Sequence, residues 1–253
     1  MDTAPEGGLV RMDWGRSKTI LILAFLLLNL VLGYQLFMNR SELLDLEVSA
    51  GGAAEEIQRL LQAKNIEVPD DLPKDVPRLK DIVVRFDESI TAEQPTALKT
   101  SFKFNPLIHK GAVRDAVARA SIPQLDAYEY DPIVSTKETH VFNQMYGDLP
   151  MFEVRLELLE QGGRITAYRQ RYAEVQPETG QKAQKEQKVI SPYVALRSLI
   201  EYYLPEGSVV TSIRLGYHGQ EYNSQTMYMV PYWRVSLGSG EVYFVHAFNG
   251  AVE

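Results

Sequence analysis

The chain has 253 residues, 23% of them charged and 45% hydrophobic, with a formal net charge of −7 and no cysteine. Such a composition suits a packed globular domain rather than a disordered tail. Its acidity argues against nucleic acid and anionic membrane surfaces as partners, and the missing thiols exclude disulfide staples.

Residues 1–10 carry Gly and acidic side chains without periodicity and are expected to be disordered. Met12, just before Asp13-Trp14, offers a second start for the reading frame. The stretch Thr19–Phe37 is uncharged, and no charge falls between Lys18 and Arg40. About 20 apolar residues in a helix span the hydrocarbon core of a bilayer. A soluble helix of that length is rarely apolar on every face. Arg11, Arg16 and Lys18 precede the run, whereas Glu42, Asp45, Glu47, Glu55 and Glu56 follow Arg40. Basic flanks stay in the cytoplasm, so the expected topology is tail inside, single pass, and everything beyond Arg40 extracytoplasmic. Arg11, Arg16 and Lys18 balance Asp2, Glu6 and Asp13 in the tail, which leaves the whole net charge of −7 outside. A cleaved signal needs a shorter apolar run and a small-residue site close behind it. Here Ala50 lies beyond four charged residues, Arg40, Glu42, Asp45 and Glu47, so the run reads as an anchor.

Within the span, Phe25, Asn29 and Gly33 recur on one helix face. Asn29 is either a tolerated polar residue or a hydrogen-bonding group for a neighbouring membrane helix, with Gly33 permitting close approach. These three are the candidate partner-binding residues inside the membrane.

Beyond the anchor the expected class is α+β, mainly antiparallel sheet with packed helices. A membrane-proximal part would cover 39–125 and a C-terminal part 126–253, after a tail at 1–18 and a membrane helix at 19–38. The two parts could be similar units joined near Leu125 or share one continuous sheet. Ser41–Lys64 has a helical pattern with Ile57, Leu60 and Leu61 on one face and a break at Gly51-Gly52. Pro69, Pro73 and Pro77 make a loop. Leu79–Phe86 and Ser101–Phe104 read as strands. Asn105-Pro106 caps a helix running to about Ala120. Tyr128–Tyr130 and Thr139–Tyr146 are short strands. Phe152, Val154, Leu156 and Leu158 alternate with Glu153, Arg155 and Glu157, so one face is buried and one wet. Gly162-Gly163 turns this strand back into Ile165–Val175, and the polar run Gln176–Lys188 reads as a solvated loop. Ser191-Pro192 opens a helix with an apolar stripe of Tyr193, Leu196, Ile200 and Tyr203. Three strands follow over Val209–Leu215, Met227–Leu237 and Glu241–Phe248. The last is apolar on both faces, as a central strand would be, and Pro231 marks a bulge or an edge.

No catalytic motif emerges. His-Glu-x-x-His, Gly-x-Ser-x-Gly and a phosphate-cradling Gly loop are all missing. His109, His140, His218 and His246 lack metal-ligand spacing, and His246 shares strand parity with Val242, Phe244 and Phe248, as a packed histidine would. An anchored hydrolase would need these histidines to meet acidic side chains in one cleft. No enzyme activity, cofactor or metal is expected. Tyrosines crowd the last unit; Tyr217, Tyr222 and Tyr232 are the candidate extracytoplasmic partner contacts, since Tyr is enriched at binding hot spots.

The α-β-β-β order ending in Pro231-Tyr232-Trp233-Arg234-Val235, a Gly turn and Val242–Gly250 resembles PepSY-type modules. Met12–Ile20 running into an apolar span that holds Asn29 and Tyr34-Gln35 resembles the start of YycI proteins. The second resemblance covers nearly the whole chain from Met12 and implies a regulator of a WalK-type sensor histidine kinase that controls cell-wall metabolism. It also implies a single-pass YycH-like companion and contacts through both the membrane helix and the external domain. The alternative is an anchored PepSY-type ligand-binding or peptidase-inhibitory module acting on cell-wall enzymes.

Overall fold

A computed structural model describes residues 14–48, 50–70, 72–73, 76–106, 116–177, 185–223 and 225–253. They fall into two compact units, residues 1–48 and 49–253.

The described residues of the first unit form a helix, α1 (Trp14–Val48). Its segment Lys18–Gln35 has a mean hydropathy of 1.7 and no buried residue, so it is long and apolar enough to cross a membrane. Ile20, Leu21, Phe25, Leu27 and Leu30 all stand exposed along it. Water would oppose that exposure by about 25 cal/mol per Å² of apolar surface, whereas hydrocarbon would not.

In the second unit, α2 (Ala50–Ala63) contains both Gly51 and Gly52, so the helix does not break at the glycine pair. Two glycines cost roughly 2 kcal/mol against alanine. Burial of Ile57 and Leu61 offsets that. Lys64, just past α2, donates to the carbonyl oxygens of Ile200 and Glu201 and so ties α2 to α4 (Pro192–Tyr202). Ser191 caps α4 as expected, its Oγ accepting from the Val194 N–H at 3.3 Å, with Pro192 in the first turn. The buried stripe is rotated from the expected one. Val194, Ala195, Leu196, Leu199 and Ile200 face inward, while Tyr203 is 49% exposed. The small Ala195 lets the helix lie close, and the tyrosines stay at the rim.

Among the described residues, twelve strands follow the sequence pattern with informative exceptions. The expected Leu79–Phe86 strand divides into β1 (Arg78–Leu79) and β2 (Ile82–Phe86), the latter with Ile82, Val84 and Phe86 buried. β3 (Ala92–Phe102) starts nine residues before Ser101, because an exposed edge strand carries no alternation to read. The expected helix after Pro106 is seen as α3 (Ala116–Ser121); residues 107–115 lie outside the described ones. β4 (Tyr128–Tyr130), β5 (Thr139–Tyr146) and β6 (Leu149–Gln161) lie where the pattern puts them. Gly162 and Gly163, at φ +60° and +75°, form the left-handed turn into β7 (Arg164–Gln170). The partner strand then ends early, and β8 (Ala173–Val175) pairs with β2 instead. The switch occurs at Arg171-Tyr172, whose carbonyls accept from the Tyr128 hydroxyl at 2.6 Å and the Asp87 N–H at 2.9 Å. β9 (Gln187–Lys188) pairs with β1.

β10 (Val210–Asn223), β11 (Thr226–Leu237) and β12 (Val242–His246) complete the sheet. Its order is β3-β7-β6-β10-β11-β2-β8, with β5 and β4 added beside β6 and β12 beside β11. Strands from both sides of position 125 therefore share one sheet. β11 lies against β10 along one side, while its other side serves β2 through Thr226–Met229 and β12 through Tyr232–Ser236. Pro231 stands at the handover, where a backbone donor is not required. β12 is not central: Phe244 exchanges backbone hydrogen bonds with Glu253, and the His246 N–H donates to the Ala251 carbonyl, on its outer side. Two apolar clusters among the described residues pack against the sheet. One gathers Phe142, Leu156, Leu158 and Ile165 with Ile122 and Leu125, and the other Val84, Met151, Val154, Tyr217, Met227 and Met229.

Candidate functional site

Two surfaces hold the residues singled out in the sequence. On α1, Leu26, Asn29, Leu30, Gly33 and Tyr34 line a shallow groove, and Phe25 stands exposed one turn before Asn29. A Cβ built on Gly33 would meet nothing within 4 Å, so that face is open to a neighbouring helix.

The second surface belongs to β10, β11 and β12. His218 lies flat on Phe244, ring centroids 3.9 Å apart at 7°, and edge-on to Tyr232 at 5.0 Å. Tyr232 in turn meets His246 at 5.1 Å, and His246 meets Phe248 at 5.8 Å. On its imidazole edge, His218 Nδ1 contacts Glu153 Oε1 at 2.5 Å, and Glu253 lies 3.7 Å from Nε2. Glu153 Oε2 also accepts from the Gly219 N–H at 3.3 Å. Burial pulls the His246 pKa below its ordinary value, partly opposed by Asp81, and its Nδ1 accepts from the Phe248 N–H at 3.2 Å. Burial, then the charge of Glu253, pushes the Tyr232 hydroxyl upward.

The tyrosine expectations separate here. Tyr217 is 2% exposed, its hydroxyl donating to the Lys80 carbonyl at 3.2 Å, and burial pushes its pKa up to about 12. It is a core residue and presents no surface to a partner, because its strand parity faces the Met151–Met229 cluster. Tyr232 is half-buried among the rings of β12, and the side chain of Tyr222 lies outside the described residues. Another histidine is apart. His140 is buried on β5, bonded to Glu160 at 2.6 Å and edge-on to Phe104, and His109 lies outside the described residues.

Histidine and acid do converge at His218 and Glu153, yet among the described residues no hydroxyl nucleophile hydrogen-bonds that imidazole, as acyl transfer would require. No group of three or more His, Cys, Asp or Glu is placed to hold a metal ion among the described residues. Sequence spacing gave no sign of the Glu153–His218 contact, which joins positions 65 apart through the parallel pairing of Tyr217 with Met151. The one readable signal was the outward parity of Glu153, Arg155 and Glu157.

No curated protein matches the chain. Residues 49–248, most of the second unit, match the family model described as YycI protein. The fold just described is therefore that of a regulatory protein of two-component signalling: the chain belongs to the YycI family.

Proposed function

We propose that this chain is a single-pass membrane regulator, with its second unit outside the cell, that biases a WalK-type sensor histidine kinase together with a YycH-like companion. The observation that carries the reading is an apolar helix with an open Asn29–Gly33 groove, preceding a domain that matches the YycI family. In hydrocarbon, helix association comes from packing at small residues and interhelical hydrogen bonds rather than from apolar burial. Phe25, Asn29 and Gly33 are then the membrane contacts, and Tyr232 with Tyr222 the external ones. A regulator of this kind acts only through contacts that differ between the kinase's signalling states. The α-β-β-β order of the last unit resembles PepSY modules, which supports a binding role for it.

Photocrosslinkers placed at Asn29 and Gly33 in native membranes test this directly. Capture of a sensor kinase and a second single-pass protein is expected. Capture of lipid alone from both positions would reduce α1 to a passive anchor.

A further inference from the structure

Residues 251–253 lie along the outer edge of β12. Phe244 and Glu253 exchange backbone hydrogen bonds of 3.3 and 2.9 Å, the His246 N–H donates to the Ala251 carbonyl at 2.8 Å, and Val245 bridges to Val252. This short cover closes an edge that would otherwise offer its N–H and C=O groups to another chain. The acidic side chain at its end turns back toward β10. Glu253 Oε2 stands 3.7 Å from His218 Nε2, and the same carboxylate accepts from the Tyr232 hydroxyl.

The other nitrogen of that ring, His218 Nδ1, meets Glu153 Oε1 of β6 at 2.5 Å. Phe244 lies flat against the imidazole at 3.9 Å, which sets the plane of the ring between the two carboxylates. A neutral imidazole carries one N–H and one bare acceptor. With the proton on Nδ1, facing Glu153, the ring turns a lone pair at Nε2 toward the Glu253 carboxylate. Two acceptors then oppose each other. A second proton makes Nε2 a donor too, and the ring becomes a cationic bridge from β6 to the cover of β12.

Other charged and titratable groups surround this bridge. Glu153 also lines a cleft with Arg155, Glu157, Arg169 and Arg171, where Arg155 and Arg171 face each other across β6 and β7, joined by a 2.8 Å backbone hydrogen bond. From β11, Tyr232 stands edge-on to His218 at 5.0 Å and meets His246 of β12 at 5.1 Å, and the charge of Asp81 acts on His246.

We infer that His218 is a proton-sensitive latch: its doubly protonated ring ties Glu253 to Glu153 and holds residues 251–253 on the β12 edge, and loss of the Nε2 proton loosens that cover. Linkage gives the sign. The closed arrangement gains a donor facing a carboxylate with the added proton, so lower pH favours closure. His246 works the other way, because burial favours its neutral ring. Acid therefore tightens the latch while the His246 contribution to global stability declines. The inference stands independently of any contact with a kinase.

The test follows backbone hydrogen exchange of the Phe244 and His246 amides, the donors to Glu253 and Ala251, in the full chain in detergent micelles. Measurement runs from about pH 8 to about pH 5, which brackets the ordinary range of histidine. Results are expressed as protection factors, so that the intrinsic pH dependence of exchange cancels. Protection should rise toward acid by about two- to fivefold, the range of an ion pair partly open to water, and along the same curve as the His218 ring protons. The Glu253 side chain is 47% exposed, so Glu253→Gln keeps the backbone bonds and removes the charge; the rise should vanish in it. His246→Gln should retain the rise. Protection that stays level or falls toward acid in the native chain would overturn the latch. So would a rise that persists in full in Glu253→Gln, or one that disappears in His246→Gln.

Discussion

Asp131 and Arg234, 103 residues apart, face each other inside the sheet through hydrogen bonds of 2.5 and 3.0 Å. Both side chains are almost completely buried. Asn143 donates a further 2.5 Å bond to Asp131, and the Arg234 guanidinium lies 4.6 Å from the Phe152 ring centroid. The pair fastens the chain after β4 to β11. Breaking it by Asp131→Ala leaves a buried cation unpaired, which should cost about 3–5 kcal/mol in denaturant unfolding. A double change, Asp131→Leu with Arg234→Met, should recover most of that loss, because no charge is then left buried.

Acid should find the same pair. Burial pushes the Asp131 pKa up, but the hydrogen bond and charge of Arg234, with the Asn143 amide and the Ile133 N–H, outweigh it and hold the group below its ordinary value. A depressed folded value means that the unfolded chain binds the proton first. The contribution is complete above the ordinary Asp value of about 3.9 and fades as pH falls through the folded one. Equilibrium unfolding of the native chain and Asp131→Asn, followed from pH 6 downward, should show the native chain losing its advantage only in strong acid.

His246 behaves in the same direction in a higher window. Its folded pKa lies below the ordinary 6.5, so the neutral ring suits the fold. Stability from this group is full above 6.5 and declines as pH drops below it, since the unfolded chain protonates first. Replacing His246 by Gln should flatten the decline of unfolding free energy between about pH 7 and 5. An identical slope in both proteins would contradict this.

Gly219→Ala should separate two strands. A Cβ at this position would sit 2.1 Å from the Tyr228 carbonyl oxygen and 2.9 Å from the Met229 Cα, both backbone atoms of β11. Backbone cannot swing aside as a side-chain end does, so the β10–β11 ladder must open locally. A loss of about 1–3 kcal/mol is expected, as for overpacking elsewhere. Because Glu153 accepts from the Gly219 N–H, the ring resonances of His218 should move in the same variant.

Tyr217→Phe offers a milder check that this tyrosine serves the core. Losing the hydroxyl removes the hydrogen bond it donates to the Lys80 carbonyl, for about 1 kcal/mol. No effect on partner capture should accompany it.

The parts of this fold that rest on local physics were legible in the sequence. Ser191-Pro192 capped its helix, Gly162-Gly163 made its turn, and Val154, Leu156 and Leu158 marked the buried face of β6. What escaped were choices made by distant segments. The return strand after the glycine turn divides because β2, far earlier in the chain, takes Ala173–Val175 as a neighbour. β12 looks central by composition, yet its outer side is closed by Ala251 and Glu253, a pairing no periodicity encodes. The apolar helix was plain from hydropathy, whereas the Glu153–His218 contact and the facing Arg155 and Arg171 needed the register of three strands. Charge patterns on a wet face give parity, not neighbours.

The shared use of β11 has a consequence for biogenesis. β2 is made well before its neighbour Thr226–Met229, and its other partner is the three-residue β8. Loop closure of that length is slow, and an unpaired strand is a template for wrong partners. The sheet therefore completes only after β11 has been made. A nascent chain stalled before Thr226 would keep β2 and the β10 edge that β11 covers open to holding factors and to proteolysis.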